Sequence, residues 1–204
     1  KSATSVDAET SITVRNQKDE YVSRGGHKLA GALDEFKAIQ VEGCVALEAG
    51  ASTGGFTDVL LRRGAAKVFA VDVGYGQLAW PLQQDPKVVV HDRTNIRSIS
   101  PEIIPEKVDL IVADLSFISL ALVLPALLSV AKEEASFLLM VKPQFEVGRE
   151  NLGAGGVVRE PHLRKEAVMQ VARTASELGL GTGGLVASPL PGPSGNVEYF
   201  LWLR

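Results

Sequence analysis

The chain has 204 residues, of which 46% are hydrophobic and 22% are charged, and it carries a formal net charge of −3. This composition fits one globular domain with a substantial core, and the acidic balance argues against a dedicated nucleic-acid binder that depends on overall positive charge. The longest apolar run, residues 118–131, contains Pro125 and is shorter than the roughly 18 to 20 residues that span a bilayer, so no transmembrane helix is predicted.

Apolar runs alternate with helical patterns along most of the chain, which predicts an α/β fold with a doubly wound, mostly parallel sheet. In chain order, the patterns predict a helix over residues 24–36, a strand over 45–48, a helix over 55–63, strands over 67–72, 88–91 and 108–114, a helix over 119–132, a strand over 137–142 and a helix over 161–178. Residues 184–187 and 197–203 flank a turn-rich segment and predict a C-terminal antiparallel hairpin.

A glycine-rich turn lies between the first predicted strand and the helix that follows it. Glycines there let the backbone pass close to a ligand, and the helix points its free N–H groups at a bound group. A dinucleotide-binding fingerprint has glycine at the first, third and sixth places, but the run that begins at Gly50 has Ser52 at the third. Glu48, at the exposed end of the strand, could reach the amino group of an amino-acid-like cofactor. Both departures favour S-adenosylmethionine over NAD.

Four ionisable residues are predicted to gather at one crevice. Asp114 ends the fourth strand and Lys142 the fifth, and ligands of parallel sheets bind beyond the carboxyl ends of the strands. Glu198 is placed in the last strand, and Lys28 on the helix before the first. A desolvated lysine beside a carboxylate can take a proton from a ribose hydroxyl or stabilise the developing alkoxide. The alternative for each residue alone is an ordinary surface ion pair.

The other candidate residues are interpreted either as ligand contacts or as residues with a structural role. Asp72, which ends the second strand, is interpreted as accepting hydrogen bonds from a ribose diol. Asp92 either meets an adenine amino group or forms a turn. The three histidines have no metal-ligand spacing, so no metal site is predicted. Cys44, the single cysteine, is interpreted as a core residue, and with the polar N-terminus it predicts an intracellular, cytoplasmic protein.

Six segments, taken in order, resemble the TlyA family, which is also labelled haemolysin A-like: residues 21–29, 50–57, 71–78, 112–117, 141–146 and 195–199. That family belongs with the FtsJ-like ribose methyltransferases. The resemblance, over about residues 15–204, therefore implies a Rossmann-like methyltransferase sheet and 2'-O-methylation of cytidine in ribosomal RNA with S-adenosylmethionine.

The resemblance also implies site residues. The family's catalytic Lys, Asp, Lys, Glu set falls on Lys28, Asp114, Lys142 and Glu198. Together with the acids discussed above, the implied cofactor-binding set is Glu48, Gly50, Ser52, Thr53, Gly54, Gly55, Phe56, Asp72 and Asp92. An aspartate is common at the place of Glu48, so the longer side chain here would keep the charge and shift the contact.

Members of the family carry a small RNA-binding domain ahead of the methyltransferase domain. Residues 1–14 are accordingly interpreted as the remnant or linker of such a domain, and residues 15–204 as the S-adenosylmethionine-dependent methyltransferase domain. The expected partner is ribosomal RNA or a ribosomal subunit, with no membrane. The grip on RNA would need the preceding domain.

The target atom can also be argued from the sequence. Methylation of pyrimidine carbon 5 needs a cysteine nucleophile near the substrate, and Cys44 lies in the first strand instead. Residues 114–117 lack the two prolines that are common in enzymes that methylate exocyclic amines, which favours a hydroxyl target. Three other functions stay open: a haemolysin with membrane activity, an NAD-dependent dehydrogenase and a non-catalytic RNA-binding regulator. The glycine-rich segment 146–159 is predicted to be a mobile lid.

Overall fold

A computed structural model describes residues 5, 7, 9, 10 and 21–204. Most of the segment interpreted as a linker, residues 1–14, lies outside the described residues, so that assignment stays a prediction. The strands are β1 (Val45–Ala49), β2 (Lys67–Val71), β3 (Val88–His91), β4 (Val108–Ala113), β5 (Ala131–Val141), β6 (Thr182–Ala187) and β7 (Tyr199–Leu203). The helices are α1 (Arg24–Glu35), α2 (Gly55–Arg62), α3 (Trp80–Gln83), α4 (Leu124–Val130), α5 (Pro143–Glu146) and α6 (Pro161–Glu177).

All seven strands form one sheet in the order β3-β2-β1-β4-β5-β7-β6. The first five pair in parallel, whereas β7 is antiparallel to both β5 and β6. The predicted mostly parallel, doubly wound sheet and its C-terminal antiparallel hairpin are therefore confirmed. The strand order reverses between β1 and β4, and a ligand crevice is expected at such a switch point.

The core lies on both faces of this sheet, which explains why the central strands are nearly continuous apolar runs. One face packs against α4 and α6, with Leu47 and Phe137 fully or almost fully buried there. The other face packs against α1 and α2, with Leu29 and Phe56 buried beside Phe200 of β7. The α1 helix thereby places Lys28 next to the strands that carry the site.

The predicted helix over residues 119–132 is wrong at both ends. A 3₁₀ turn spans Leu120–Leu122, and α4 begins only at Leu124, because Pro125 fits the first turn of a helix but not its interior. At the other end, β5 begins at Ala131 and not at 137, and its first residues include exposed charged side chains that conceal the strand pattern.

Smaller corrections concern the strand ends and two missed helices. Glu198 precedes β7 and does not lie in it, while Asp114 and Lys142 follow β4 and β5 directly. The short helices α3, which begins at Trp80, and α5, which begins at Pro143, were not predicted. These shifts leave the ionisable residues in loops at the carboxyl edge of the sheet.

Candidate active site

Two cavities lie at the carboxyl ends of the strands and share the loop over residues 116–118. The first measures about 370 Å³ and is bordered by Asp72 and Asp114. The second measures about 990 Å³ and is bordered by Lys142 and Glu198. The loop after β4 thus connects a cofactor-sized space to a larger one.

The four residues of the predicted catalytic set form two ion pairs. Lys142 Nζ lies 2.6 Å from Asp114 Oδ1 and donates a hydrogen bond to Ser116 Oγ at 3.0 Å. Lys28 Nζ donates to Glu198 Oε2 at 2.6 Å, and both of these side chains are buried. The predicted pairing of Asp114 with Lys142 is therefore confirmed.

The backbone geometry of the loop between β1 and α2 requires glycine at two positions. Gly50 has φ +88°, and a Cβ atom there would lie 2.7 Å from the backbone oxygen of Asp114. Gly54 has φ +94°, and a Cβ atom there would lie 2.7 Å from Leu78 Cδ1. Gly50 keeps the loop after β1 against the loop after β4, which brings backbone close to the first cavity.

Asp72 holds two loops together. Ser52 N–H donates to Asp72 Oδ2 at 2.8 Å, and Gly74 N–H donates to Asp72 Oδ1 at 2.7 Å. Asp72 and Ser52 both border the first cavity, as expected for cofactor-binding residues. Asp92 instead accepts a hydrogen bond from Gly76 N–H at 2.8 Å and borders neither large cavity. Asp92 thus joins two loops in this structure, and its contact with an adenine amino group stays a prediction.

Glu48 is buried, with 1% of its surface exposed, so the expectation that it occupies an exposed strand end is wrong. The strand continues to Ala49, and the start of α2 covers the carboxyl group, which accepts a hydrogen bond from the Thr57 hydroxyl. Burial, with a smaller contribution from the nearby charge of Asp114, raises the pKa of Glu48 to about 8. Both carboxyl groups border a small third cavity of about 110 Å³. A cation would relieve their repulsion.

The other predicted cofactor residues have partly structural roles. Thr53, Gly55 and Phe56 all border the small cavity. However, a Cβ atom at Gly55 would lie 2.8 Å from the backbone nitrogen of Gly26, so this glycine permits close packing of α2 on α1. The ring of Phe56 packs against that of Phe200 with 6.0 Å between centroids. Gly55 and Phe56 therefore contribute to packing as well as lining this cavity.

Three residues beside the catalytic set were not predicted as site residues. Ser116 contacts Lys142, and Gln144 Nε2 donates to Glu198 Oε1 at 3.4 Å. Phe117 is 91% exposed and has φ +64°, a backbone conformation that is uncommon for a bulky side chain. Strained, exposed aromatic residues at a cavity mark functional sites. Their only signal in the sequence is their position next to Asp114 and Lys142.

Glu146 fixes the loop between the two cavities. Its carboxyl group accepts hydrogen bonds from Ser119 Oγ at 2.5 Å and from Leu120 N–H at 2.9 Å. Burial raises the pKa of Glu146 above its ordinary value. The loop after β5 thereby holds the loop after β4 that carries Ser116 and Phe117.

The glycine-rich segment 146–159 is tied to the turn before β7. Asn196 is buried, accepts a hydrogen bond from Val158 N–H at 2.9 Å and donates one to Gly156 O at 3.0 Å. Gly156 borders the second cavity, so the segment is placed to cover it. Its motion as a lid stays a prediction.

Within the described ranges, no group of three or more His, Cys, Asp or Glu side chains is arranged to hold a metal ion. A search of the same residues finds no helix with the length and hydrophobicity needed to cross a bilayer.

Comparisons with known proteins agree on a single relationship. The FtsJ-like methyltransferase family model matches residues 21–204. The 16S/23S rRNA (cytidine-2'-O)-methyltransferase TlyA of Mycobacterium tuberculosis is 62% identical over 205 residues, which cover 100% of this chain and 76% of that protein. A solved structure of a hemolysin-labelled protein from Streptococcus thermophilus is 42% identical, with a TM-score of 0.87 over 93% of this chain and 68% of that one.

A more distant structure bears on the fold alone. Aeropyrum pernix fibrillarin, solved with S-adenosyl-L-methionine bound to it, is 18% identical and has a TM-score of 0.60 over 88% of this chain and 76% of that chain. The predicted Rossmann-like methyltransferase architecture is confirmed.

Proposed function

Because this chain belongs to the FtsJ-like methyltransferase family, we propose that it transfers the methyl group of S-adenosylmethionine to the 2'-hydroxyl of a cytidine in ribosomal RNA. The observation that carries the proposal is the Lys142–Asp114 ion pair, 2.6 Å long, at the loop that borders both cavities. The relative that is 62% identical over the whole chain is named for this activity. A ribosomal substrate would place the protein in the cytoplasm.

The first cavity and the small cavity beside it fit the methyl donor. Two carboxyl groups, Glu48 and Asp114, border the small cavity and would accept the cofactor's ammonium group. Gly50 and Ser52 supply close backbone, and Asp72 lies at the wall where a ribose diol would bind. When bound, S-adenosylmethionine supplies a methyl group on a positively charged sulfur. The chain's own task is to hold an acceptor oxygen in line with that group.

Lys142 is the residue assigned to the target oxygen. Asp114 and Ser116 hold its ammonium group on two sides, so the side chain is oriented before substrate arrives. The positive charge would stabilise the negative charge that develops on the 2'-oxygen. As this oxygen takes the methyl group from the sulfur, the hydroxyl proton would pass to solvent water. The buried pair Lys28–Glu198 would position the ribose from the other side of the second cavity.

The second cavity has features that suit an extruded nucleotide. Its volume of about 990 Å³ is ample for one nucleotide, and Phe117 at its border offers an exposed ring on which a base can stack. Arg97 and Arg149 also border it and could contact phosphates, which would offset the overall acidic charge locally.

The test compares two lysines that each pair with an aspartate. Lys142→Met keeps most of the packing and should lower methyl transfer to ribosomal RNA by roughly 100-fold or more, because the charge at the target oxygen is lost. Lys132 lies near the start of β5, at the opposite end of that strand from Lys142, and its Nζ lies 2.6 Å from Asp109 Oδ1, so it provides the control. Lys132→Met should keep wild-type activity.

Incorporation of labelled methyl groups and mapping of ribose methylation would measure the effect, with calorimetry of S-adenosylmethionine binding as a check on folding. Near wild-type transfer by Lys142→Met with intact cofactor binding would contradict the assignment. Retained biological activity of the inactive variant would instead favour the RNA-binding regulator. Release of dye from lipid vesicles by both lysine variants alike would support the haemolysin alternative.

A further inference from the structure

Gln144 is a polar residue of the second cavity to which the catalytic scheme gives no role. It lies in α5, two residues after Lys142, and borders the cavity together with Lys142 and Glu198. A residue in this position faces the space assigned to the target nucleotide.

The orientation of the Gln144 amide is set by the buried ion pair. Lys28 occupies Glu198 Oε2, and the remaining oxygen, Oε1, lies 3.4 Å from Gln144 Nε2. A carboxylate can only accept hydrogen bonds, so the amide must present its NH₂ group to Glu198. The carbonyl oxygen of Gln144 is therefore directed elsewhere.

That carbonyl oxygen is buried and accepts no hydrogen bond from the residues that the structure describes. Buried acceptors without a partner are rare and are frequently explained by a functional role. Rotation about the terminal torsion alone would move both groups of the planar amide, but the side-chain torsions of glutamine can change together, so that the carbonyl oxygen turns toward the cavity while the NH₂ group stays near Glu198. A substrate donor would then supply the missing hydrogen bond.

We propose that Gln144 selects cytosine at the target position by accepting a hydrogen bond from its exocyclic amine. The inference rests on the proposed function, since it takes the cytidine to be bound in the second cavity. Uracil carries a carbonyl oxygen where cytosine carries the amine, so two acceptors would face each other without a proton between them. A site that hydrogen-bonds one substrate group rejects the analogue that lacks it.

The experiment uses the ribosomal RNA fragment that contains the cytidine methylated by the wild-type protein, and the same fragment with uridine at that position. We expect the wild-type protein to prefer the cytidine fragment by roughly tenfold or more in kcat/KM. Gln144→Met has a similar volume but neither an acceptor oxygen nor a donor. It should lower kcat/KM for the cytidine fragment by a similar factor and leave that for the uridine fragment within about twofold of wild type. Gln170→Met, a change on the exposed surface of α6, is the control.

Loss of discrimination, with the uridine rate preserved, is the result that a purely structural role would not produce. An equal fall for both fragments, or no change for either, would overturn the inference. So would a wild-type protein that methylates both fragments equally. Absence of methyl transfer from wild-type protein to the cytidine fragment would overturn the proposed function and this inference together, whereas the other results leave the proposed function standing.

Discussion

We expect the buried carboxyl group of Glu48 to make binding of the proposed cofactor dependent on pH. Burial raises its pKa to about 8, and no ion pair joins it to a cation within the described part of the chain. In the free protein at pH 7 the group is therefore mostly protonated. An ammonium group bound beside it would require the ionised form, so binding should release a proton. Glu48→Gln removes this ionisation while keeping the shape of the side chain.

The magnitude follows from the pKa of about 8. At pH 7, ionising Glu48 costs about 1 kcal/mol, and binding should release most of one proton, because the cofactor's amino group is already largely protonated at this pH. Apparent affinity should rise nearly tenfold from about pH 6 to 7, level off near pH 8 and then fall as the cofactor amine loses its charge. Glu48→Gln should bind more weakly by about 1 to 2 kcal/mol at pH 7 and lose the rise with pH.

The same substitution should stabilise the free protein. A carboxyl group whose folded pKa is raised from 4.5 to about 8 contributes stability that is complete below 4.5 and is lost as the pH rises through 8. For Glu48 the loss amounts to about 3 kcal/mol at pH 7. Urea unfolding should therefore show Glu48→Gln gaining stability over wild type between pH 5 and pH 8.

Calorimetry in buffers of different ionisation enthalpy at pH 7 measures the proton release directly. Glu146→Gln is the matched control, because Glu146 is also buried with a raised pKa but borders none of the three cavities. It should release the same number of protons as wild type. An enthalpy of S-adenosylmethionine binding that does not depend on the buffer would refute the reasoning about Glu48.

Two further substitutions test the second cavity. Lys28→Met leaves Glu198 buried without its ion-pair partner and should destabilise the protein by about 3 to 5 kcal/mol in urea unfolding. The double variant with Glu198→Gln should recover much of that loss. Equal stability of the single variant and wild type would contradict a buried pair. Phe117→Gly should cost no stability, because the ring is 91% exposed and a φ of +64° suits glycine. It should lower kcat/KM for RNA about tenfold, because it removes a surface on which a base can stack. Unchanged RNA kinetics would exclude that role.

The fold could be predicted wherever burial dictates sequence. Strands such as β4 are covered on both faces, so they are apolar throughout and visible without a structure. The first half of β5 was missed because residues 132–134 are charged and exposed, and the start of α4 was missed because Pro125 belongs to a first turn. In both places a few residues, the exposed charges in one and the proline in the other, determined the local structure against the hydrophobic pattern of the whole segment.

The site residues that could be predicted from the sequence are those that the sheet topology brings together. Asp114 and Lys142 were placed together because neighbouring parallel strands end at one edge. The Lys28–Glu198 pair joins residues that are 170 positions apart. No spacing rule predicts that a residue of α1 contacts a residue just before β7. The architecture placed Lys28 and Glu198 near the crevice without pairing them, and the family resemblance assigned them to one catalytic set. The burial of Glu48 depends on where α2 crosses the strand, which periodicity does not specify.

The backbone strain in the described residues is concentrated around the same site. Three non-glycine residues have positive φ: Ser52, Arg93 and Phe117. Ser52 and Phe117 both border the first cavity, from the loops after β1 and β4. A glycine at either position would adopt this conformation more easily, so the side chains are kept at an energetic cost. Together with a carboxyl group and an ion pair buried beside these loops, the strain indicates a crevice arranged for ligands at the expense of stability.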